Sequence, residues 1–351
     1  MHPLTPASRA GKPFSLATLA LVATLTFSCS SDVAEVEKAG QATEAAAKKA
    51  ARGIPDQISF TRPGLYPEGI AFDRRNDRFL VSSVSTGTIG AVSYDGTYTP
   101  FIQDPALTAT VGLTIDEARK RVLAAVSNPA LGNVAALGIY DLRTGERLQL
   151  VNLLEAGGGA ANFANDVALD PQGNAYVTNS FSPIIYKVDR DGNASVAFQD
   201  SQFATTPGQF GFNGIAYHNN GFLIVAFSRD NALYKIPLSD PSAFSKIELN
   251  APLQNPDGLL LSQDGKQLVV VNNAGGAEAG RVLSFVSDDK WETGQLADHF
   301  ATGPVFPTTA TSDGKNVFVL YAYLNRLFNP ALPTQNTFTI QKVPFADNRP
   351  F

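Results

Sequence analysis

The sequence is poor in cysteine and histidine. Its 351 residues include a single cysteine, Cys29, and only three histidines, His2, His218 and His299. One cysteine cannot form a disulfide framework, and a cysteine-based zinc site is excluded for the same reason. Transition-metal chemistry has almost no ligands available. Any chemistry must therefore come mainly from carboxylates, amides and other oxygen ligands.

The sequence also lacks an excess of positive charge. It has 27 Lys and Arg against 32 Asp and Glu, for a net charge of -5. Nucleic-acid-binding domains usually carry a basic surface, so we expect no nucleic-acid partner. The hydrophobic content of 44% and charged content of 17% are typical of a globular protein. The length suits either two ordinary domains or one large all-β domain.

Long hydrophobic runs are scarce, and the one near the N-terminus has the features of an export signal. Arg9 and Lys12 precede an apolar run at residues 14–27, which is too short to span a bilayer comfortably. The run ends next to Cys29, and this arrangement resembles a bacterial lipoprotein signal, in which the cysteine is lipidated and becomes the mature N-terminus. The alternative is a conventional secretory signal with an incidental cysteine.

These features predict three segments. Residues 1–29 form a signal peptide, residues 30–55 form a flexible tether without a persistent apolar stripe, and residues 56–351 form the folded domain. We expect membrane contact only through a lipid anchor on Cys29. The expected location is the bacterial cell envelope, in the periplasm or at the outer membrane, or outside the cell if Cys29 is not lipidated.

A sequence motif recurs six times in the predicted domain. Short runs of β-formers separated by turn sequences predict an all-β fold, and the copies are about 43 to 54 residues apart, a spacing typical of propeller blades. Each copy precedes a tight turn and a second β-rich segment, and two more strands usually follow. Four strands in each of six units predict a six-bladed β-propeller. The equivalent positions, here called the axial residues, are Glu68, Val111, Asn165, Asn213, Asp257 and Thr308.

The sixth unit lacks an outer strand. Its predicted strands are residues 309–312, 316–321 and 337–343, after which the chain nearly ends. An unassigned strand, residues 57–61, precedes the first unit. Pairing this strand into the sixth blade would close the ring and cover an exposed edge. We therefore predict a ring closed by an N-terminal strand, and we expect a monomer.

Four of the six axial residues carry side-chain oxygens. The first strand of each propeller blade lines the central channel, so Glu68, Asn165, Asn213 and Asp257 should converge on the axis. Two carboxylates and two amides suit Ca²⁺, with Mg²⁺ or Mn²⁺ as alternatives if the ring contracts. The competing interpretation is that these are turn residues. It explains Glu68 poorly, because glutamate is not a turn former.

The motifs at these positions carry a family resemblance. They are Pro-Glu-Gly at 67–69, Asn-Asp-Val at 165–167, Asn-Gly-Ile at 213–215 and Pro-Asp-Gly at 256–258. Over about residues 57–345 the sequence resembles the six-bladed propellers that include gluconolactonase, senescence marker protein (regucalcin) and luciferin-regenerating enzyme. Paraoxonase and diisopropylfluorophosphatase are more distant relatives.

The resemblance implies a calcium-dependent hydrolase of a lactone, a related ester or a phosphotriester. Glu68, Asn165, Asn213 and Asp257 would be the metal ligands. The metal would polarise the carbonyl or phosphoryl oxygen, and Asp257 would be the catalytic base or nucleophile. The sequence departs from paraoxonase because no histidine is evident near an axial residue. We expect His218 to be a surface turn residue and His299 to lie near an outer strand.

The second strands should end at the face where the first strands begin. Polar residues at these ends would orient a small-molecule substrate, or would be simple turn formers. They are Ser83, Asn128, Asn179, Ser180, Ser228, Asn272, Asn273 and Tyr321, with Asn128, Asn179, Asn272 and Asn273 as the main candidates for a substrate rim.

Two other functions stay open at this stage. A propeller fold does not define an activity, so the chain could be a non-catalytic propeller of the cell envelope that binds a ligand or a protein. A metal-free condensing enzyme similar to strictosidine synthase is a weaker alternative, and the four oxygen-bearing side chains argue against it.

Overall fold

Six small sheets form a ring in the computed structural model. The structure describes residues 54–128, 133–159, 162–276, 280–346 and 349–351. The predicted signal peptide, Cys29 and nearly all of the predicted tether lie outside these residues. No helix within the described ranges is long and apolar enough to cross a membrane.

Blades one to three each contain four antiparallel strands, ordered from the axis outward as they follow in the chain. The N-terminal strand β1 (Gln57–Thr61) precedes them. The strands are β2 (Ile70–Asp73), β3 (Arg78–Val81), β4 (Ile89–Val92) and β5 (Tyr98–Ile102) in blade one; β6 (Ala109–Asp116), β7 (Arg121–Ser127), β8 (Ala135–Asp141) and β9 (Arg147–Asn152) in blade two; and β10 (Ala164–Leu169), β11 (Ala175–Asn179), β12 (Ile184–Val188) and β13 (Ala194–Gln199) in blade three.

Blades four to six follow the same plan with additions. Blade four contains β14 (Phe212–His218), β15 (Phe222–Phe227), β16 (Ala232–Pro237) and β17 (Ser245–Lys246). Blade five contains β19 (Pro256–Leu261), β20 (Gln267–Asn272), β21 (Gly280–Val286) and β22 (Thr293–Gly303), with β18 (Glu248–Leu249) added in parallel to β22. Blade six contains β23 (Pro307–Ser312), β24 (Val317–Tyr321) and β25 (Thr337–Val343).

Short helical segments connect some of these strands. A helix, α1 (Leu324–Phe328), lies between β24 and β25. Single 3₁₀ turns span Ser201–Phe203, Ser228–Asp230, Pro241–Ala243 and Ala274–Gly276. The sequence patterns predicted neither α1 nor the fifth strand of blade five, because both are short and lack a clear period.

The N-terminal strand closes the ring, as predicted. Strand β1 pairs antiparallel with β25 in register from Gln57 opposite Gln341 to Thr61 opposite Thr337. Neighbouring inner strands contact one another in the cyclic order β2, β6, β10, β14, β19, β23 and back to β2. The all-β, six-bladed propeller prediction is therefore confirmed.

The hydrophobic core lies between blades. Each buried cluster combines the facing sides of two neighbouring blades, from blades one and two through to blades six and one. Central strands such as β7 (RVLAAVS) and β15 (FLIVAF) are buried along their whole length. Strands buried on both faces are rich in Val, Leu, Ile, Phe and Ala rather than alternating with polar residues. The repeated apolar runs of the sequence therefore correspond to central strands that are buried on both faces.

His218 is not a surface turn residue, contrary to expectation. It ends β14, is 7% exposed and stacks on Phe222 with 4.2 Å between ring centroids. Its Nδ1 accepts a hydrogen bond from the Asn220 backbone N–H at 3.1 Å. Burial lowers its pKa below the ordinary value of 6.5. His218 does not line the cavity that contains the axial residues.

Removing the Phe60 side chain tests the ring closure. Phe60 of β1 is 1% exposed and packs on Tyr98 of blade one and Phe338 of blade six, at centroid distances of 6.0 and 5.9 Å. We expect Phe60→Ala to lower the free energy of unfolding by about 3–5 kcal/mol in urea titrations. The exposed Ser59→Ala on the same strand is the control and should change it by less than ~0.5 kcal/mol. A cost for Phe60→Ala as small as that of the control would show that β1 does not hold the ring closed.

Candidate functional site

A break in strand pairing directs the axial residues toward the channel. In blades two to six, the pairing between the first and second strands shifts at the axial residue. In blade three the shift lies between Ala164 and Val167, and in blade four it lies between Phe212 and Ile215. A β-bulge re-aims a side chain that a regular strand would place in the sheet. In blade one, Glu68 and Gly69 directly precede β2. The bulges explain why equivalent residues of different blades meet.

Glycine after the axial residue lets the inner strands approach closely. A Cβ at Gly69 would collide with the carbonyl oxygen of Val111 in the next blade, and one at Gly214 would collide with that of Asp257. Each axial backbone is thus packed against the next one around the ring. The Glu-Gly, Asn-Gly and Asp-Gly pairs at the axial positions 68–69, 213–214 and 257–258 reflect this packing, not hairpin turns.

The structure brings the four predicted ligands to one cavity. Glu68, Asn165, Asn213 and Asp257 line a cavity of about 250 Å³, together with the axial Val111. All four are buried, with exposed fractions between 4% and 7%. The remaining axial residue, Thr308, does not line the cavity and donates from its hydroxyl to the backbone oxygen of Glu68 at 2.7 Å.

Serines orient the two amides. Ser180 Oγ donates to the Phe212 carbonyl oxygen at 2.6 Å and accepts from Asn165 Nδ2 at 2.9 Å. Ser228 Oγ likewise donates to the Pro256 carbonyl oxygen at 2.9 Å and accepts a longer bond from Asn213 Nδ2 at 3.4 Å. Because each hydroxyl has given its only proton to a carbonyl, it can only accept from the amide nitrogen.

The oxygens of both amides are consequently left without partners. Asn165 Oδ1, Asn213 Oδ1 and Glu68 Oε2 are buried and form no hydrogen bond with any described residue. Buried polar atoms are nearly always satisfied, so three such acceptors around one cavity need a partner that the protein does not supply. A cation or a hydrogen-bond donor of a ligand would supply it.

Two asparagines, Asn255 and Asn273, form a chain of hydrogen bonds that ends at the Asp257 carboxylate. Asn273 Nδ2 donates to Asp257 Oδ2 at 2.7 Å, and Asn255 Nδ2 donates to Asn273 Oδ1. The Gly275 backbone N–H also donates to Asn273 Oδ1, at 2.9 Å. Asn273 is thus fixed by two donors and directs its own donor to one carboxylate oxygen of Asp257.

A third buried carboxylate, Asp166, was not singled out from the sequence. It follows Asn165 at the position where blades one, two, four and five have glycine. Its Oδ2 accepts from the Ile215 backbone N–H at 3.1 Å, and its Oδ1 accepts from that of Val167 at 2.9 Å. The replacement of glycine by aspartate in this one copy was the signal that could have identified it.

Burial disfavours the charge of all three carboxylates, and neighbouring carboxylates add to this effect at Glu68 and Asp257. Burial, followed by the charges of Asp257 and Asp166, raises the pKa of Glu68 well above its ordinary value. Burial also raises the pKa of Asp257 to about 8, with a contribution from Asp166, although hydrogen bonds from Asn273 and Asn213 lower it. For Asp166, burial raises the pKa to about 6. A positive ion would relieve the repulsion that these shifts reflect.

The residues present fit a hard divalent cation. Carboxylate and amide oxygens are the ligands of Ca²⁺, and three of these oxygens lack any other partner. No group of three or more His, Cys, Asp and Glu side chains suited to a metal occurs in the described ranges. A metal at this cavity would therefore depend on the amides of Asn165 and Asn213 as well as on Glu68 and Asp257.

The structure places only one of the four main rim candidates at the cavity. Asn273 lines it, whereas Asn128, Asn179 and Asn272 do not. Asn179 lies inside blade three, where its Oδ1 accepts from the backbone N–H groups of Phe163 and Phe181, both at 3.0 Å. Asn272 lines a different pocket, beside Arg281. Side chains alternate along a strand, so in blades three and five the residue after the second strand, Ser180 or Asn273, faces the axis and its last residue does not.

Two residues at second-strand ends that were listed from the sequence do reach the site. Ser180 and Ser228 follow β11 and β15 directly and orient the amides, as described above. Ser83 instead donates to the Leu65 carbonyl oxygen at 2.6 Å, and Tyr321 packs in the core between blades five and six.

Much of the cavity lining is apolar. Its lining contains, besides the polar residues above, a set of aromatic and aliphatic side chains that sequence analysis did not assign. They are Val84, Phe163, Phe181, Phe210, Phe306, Leu324 and Phe328.

Comparison with known families gives one match. A family model described as the SMP-30/gluconolactonase/LRE-like region matches residues 66–313, which is well over half of the chain. No curated protein sequence matches the chain.

Solved structures share the fold at low sequence identity. The major allergen Mala s 1 of Malassezia sympodialis has a TM-score of 0.66 and 19% identity, over 83% of this chain and 96% of the allergen. A gluconolactonase of Xanthomonas campestris has a TM-score of 0.58 and 16% identity, over 82% of this chain and 89% of its own. A luciferin-regenerating enzyme has a TM-score of 0.56 and 13% identity, over 84% and 98%.

Neutralising Glu68 tests the electrostatics of the site. The raised pKa means that ionising Glu68 costs stability, and this cost grows as the pH rises above its ordinary value of 4.5. We expect Glu68→Gln to raise the thermal midpoint by at least about 2 °C in EDTA at pH 8, and by less at pH 4.5. The exposed Glu155→Gln is the control and should change neither value. A Glu68→Gln protein that is less stable than wild type at pH 8 would contradict the repulsion.

Proposed function

The chain belongs to the SMP-30/gluconolactonase/LRE-like family, and from this premise we propose that it is a divalent-cation-dependent hydrolase of a lactone or related ester. Family membership supports a lactonase-like hydrolase. The observation that supports the cation is the set of unpartnered buried oxygens on Glu68, Asn165 and Asn213 beside the carboxylate of Asp257.

In this proposal Glu68, Asn165, Asn213 and Asp257 hold the cation, with Ca²⁺ as the preferred ion and Mg²⁺ or Mn²⁺ as alternatives. When bound, the cation supplies a positive charge that polarises the carbonyl oxygen of a lactone, or the phosphoryl oxygen of a phosphotriester. The serine hydroxyls keep the amide oxygens of Asn165 and Asn213 turned toward the cavity. The apolar walls exclude water from the sides.

Asp257 moves the proton in the proposed reaction. As the oxygen of a water molecule bonds to the lactone carbonyl carbon, Asp257 takes a proton from that water. The bond between the carbonyl carbon and the ring oxygen then breaks, the ring oxygen receives the proton, and a hydroxy acid leaves. The hydrogen bond from Asn273 at 2.7 Å fixes one Asp257 oxygen for this role.

A direct attack by Asp257 on the carbonyl carbon is the other route open to this carboxylate. It would form an acyl-enzyme anhydride as the bond between the carbonyl carbon and the ring oxygen breaks and the ring oxygen takes a proton from water. Attack of a second water molecule on the Asp257 carbonyl carbon of the anhydride would then release the hydroxy acid and leave the oxygen of that water in Asp257. A single turnover in H₂¹⁸O distinguishes this route, because the general-base route leaves no label in the Asp257 carboxyl.

We further propose that the chain is exported and anchored through a lipid on Cys29, and that it acts as a monomer on a small-molecule substrate. The intact mass of protein isolated from bacterial membranes should show a lipidated Cys29 as the N-terminus. Cys29→Ser should release the protein from the membrane fraction, and an unchanged distribution would contradict the anchor.

Calcium removal and Asp257→Asn test the hydrolase. We expect EDTA, and separately Asp257→Asn, to lower kcat/KM on a panel of lactones and phosphotriesters by at least about 100-fold, the usual loss when a proton-transfer group is removed. Readdition of Ca²⁺ should restore kcat/KM of the EDTA-treated wild type but should not raise kcat/KM of Asp257→Asn. Asp191→Asn, at an exposed turn carboxylate, is the control.

One outcome favours the non-catalytic binding propeller instead. Ca²⁺ would then raise the thermal midpoint of the wild type, and Asp257→Asn would abolish this effect, but no substrate of the panel would be hydrolysed.

Two equivalent serines provide a matched test of amide orientation. Ser127 and Ser180 both donate to a carbonyl oxygen of the next blade, Ser127 to Ala164 at 2.8 Å, but only Ser180 accepts from a predicted ligand. We expect Ser180→Ala to weaken Ca²⁺ binding by about 10- to 100-fold in calorimetry. Ser127→Ala should cost similar stability but leave the affinity unchanged. Equal affinities of the two variants would contradict the proposed orientation.

A further inference from the structure

Three phenylalanines that contact one another line the same cavity as the predicted ligands. Phe163 and Phe181 flank β10 and β11 of blade three, and Phe210 precedes β14 of blade four. Their ring centroids are 5.2 Å apart for Phe163 and Phe181, 5.5 Å for Phe163 and Phe210, and 5.3 Å for Phe181 and Phe210. The three rings pack against one another as a continuous aromatic surface.

Blade six contributes a second apolar group to the same cavity. Phe306 precedes β23, and Leu324 and Phe328 belong to α1, which is inserted between β24 and β25. Blade six lies across the ring from blade three in the cyclic order of the inner strands. Phe328 is 58% exposed and Phe210 is 37% exposed, so both present apolar surface to solvent when the cavity has no ligand.

The polar side chains that line the cavity are largely committed to other contacts. Asn273 donates to Asp257, Asn255 donates to Asn273, and Ser228 donates to the Pro256 carbonyl. The unpartnered oxygens of the lining belong to Glu68, Asn165 and Asn213, at the predicted cation site. A substrate with several hydroxyl groups would bury them against phenylalanine rings, which is unfavourable without hydrogen-bond partners.

We propose that the substrate carries an alkyl or aryl group on its lactone or ester, and that Phe163, Phe181, Phe210, Phe306, Leu324 and Phe328 bind this group. The proposal rests on the proposed hydrolase function and specifies its substrate class. The reacting carbonyl lies at the predicted ligands, and the apolar group extends between blades three and six. Polyhydroxylated sugar lactones are poor substrates of this site. Its volume of about 250 Å³ is slightly below the range of about 300–1,000 Å³ typical of ligand pockets, so the substrate must be small.

Two δ-lactones with the same six-membered ring test the substrate class. δ-Decalactone carries a pentyl chain, whereas glucono-δ-lactone carries hydroxyl groups. We expect kcat/KM of the full chain with Ca²⁺ to be at least about 100-fold higher for δ-decalactone, because each buried methylene is worth a factor of about four. A preference for glucono-δ-lactone would overturn the inference and leave the proposed hydrolase intact.

Truncation of the exposed rings locates the apolar group. Phe210→Ala and Phe328→Ala should each raise KM for δ-decalactone by about five- to tenfold and leave kcat nearly unchanged. Leu148→Ala removes a side chain that is also exposed, at 59%, but lies on the outer strand β9, and it should change neither constant. Unchanged KM values in both phenylalanine variants would overturn the inference.

A binding measurement separates this inference from the proposed activity. The alkyl lactam that matches δ-decalactone is stable to hydrolysis, so its affinity can be measured by calorimetry whether or not the protein is an enzyme. If no lactone is hydrolysed but the alkyl lactam binds, and Phe210→Ala weakens binding, the hydrolase proposal fails and the ligand class stands. If the alkyl lactam does not bind, or binds wild type and Phe210→Ala equally, the ligand class is wrong.

Discussion

Burial of like charges is the constraint on which the site depends. Glu68, Asp166 and Asp257 lie within electrostatic reach of one another at the centre of the ring, where burial raises the pKa of each. Side chains that cost stability in this way are usually retained for function. The neighbouring amides of Asn165 and Asn213 present unpartnered oxygens. Negative charge and free acceptors at one point together favour a bound cation.

The propeller makes this convergence possible without long side chains. Inner strands from all six blades reach the axis, bulges in blades two to five turn the axial residue toward it, and glycine after the axial residue in blades one, two, four and five permits close backbone packing. Ring closure by β1 then fixes blade six against blade one. Ser180 and Ser228 each donate to a carbonyl oxygen of the next blade. The amides of Asn165 and Asn213, which these serines orient, therefore depend on contacts that cross a blade boundary.

The sequence predicted the repeat, and with it most of the architecture. A motif that recurs in every blade identifies the inner strands, and the predicted segments 57–61 and 337–343 have the bounds observed for β1 and β25. Local geometry was harder to predict. Asn179 and Asn272 were expected at the rim, but strand alternation turns them away, and His218 is buried against Phe222. The aromatic lining was missed because its residues lie in loops and in α1, outside the repeat, where no period marks them.

The solved relatives share this fold at 19% identity or less and include an allergen as well as a gluconolactonase, so the fold alone does not assign the activity.

The central claim concerns one cation at the axis, and a crystal structure of the protein grown with Ca²⁺ tests it most directly. The account predicts a single ion coordinated by side-chain oxygens of Glu68, Asn165, Asn213 and Asp257 at about 2.3–2.6 Å. An axis without an ion at saturating Ca²⁺, or an ion bound by other residues, would contradict it.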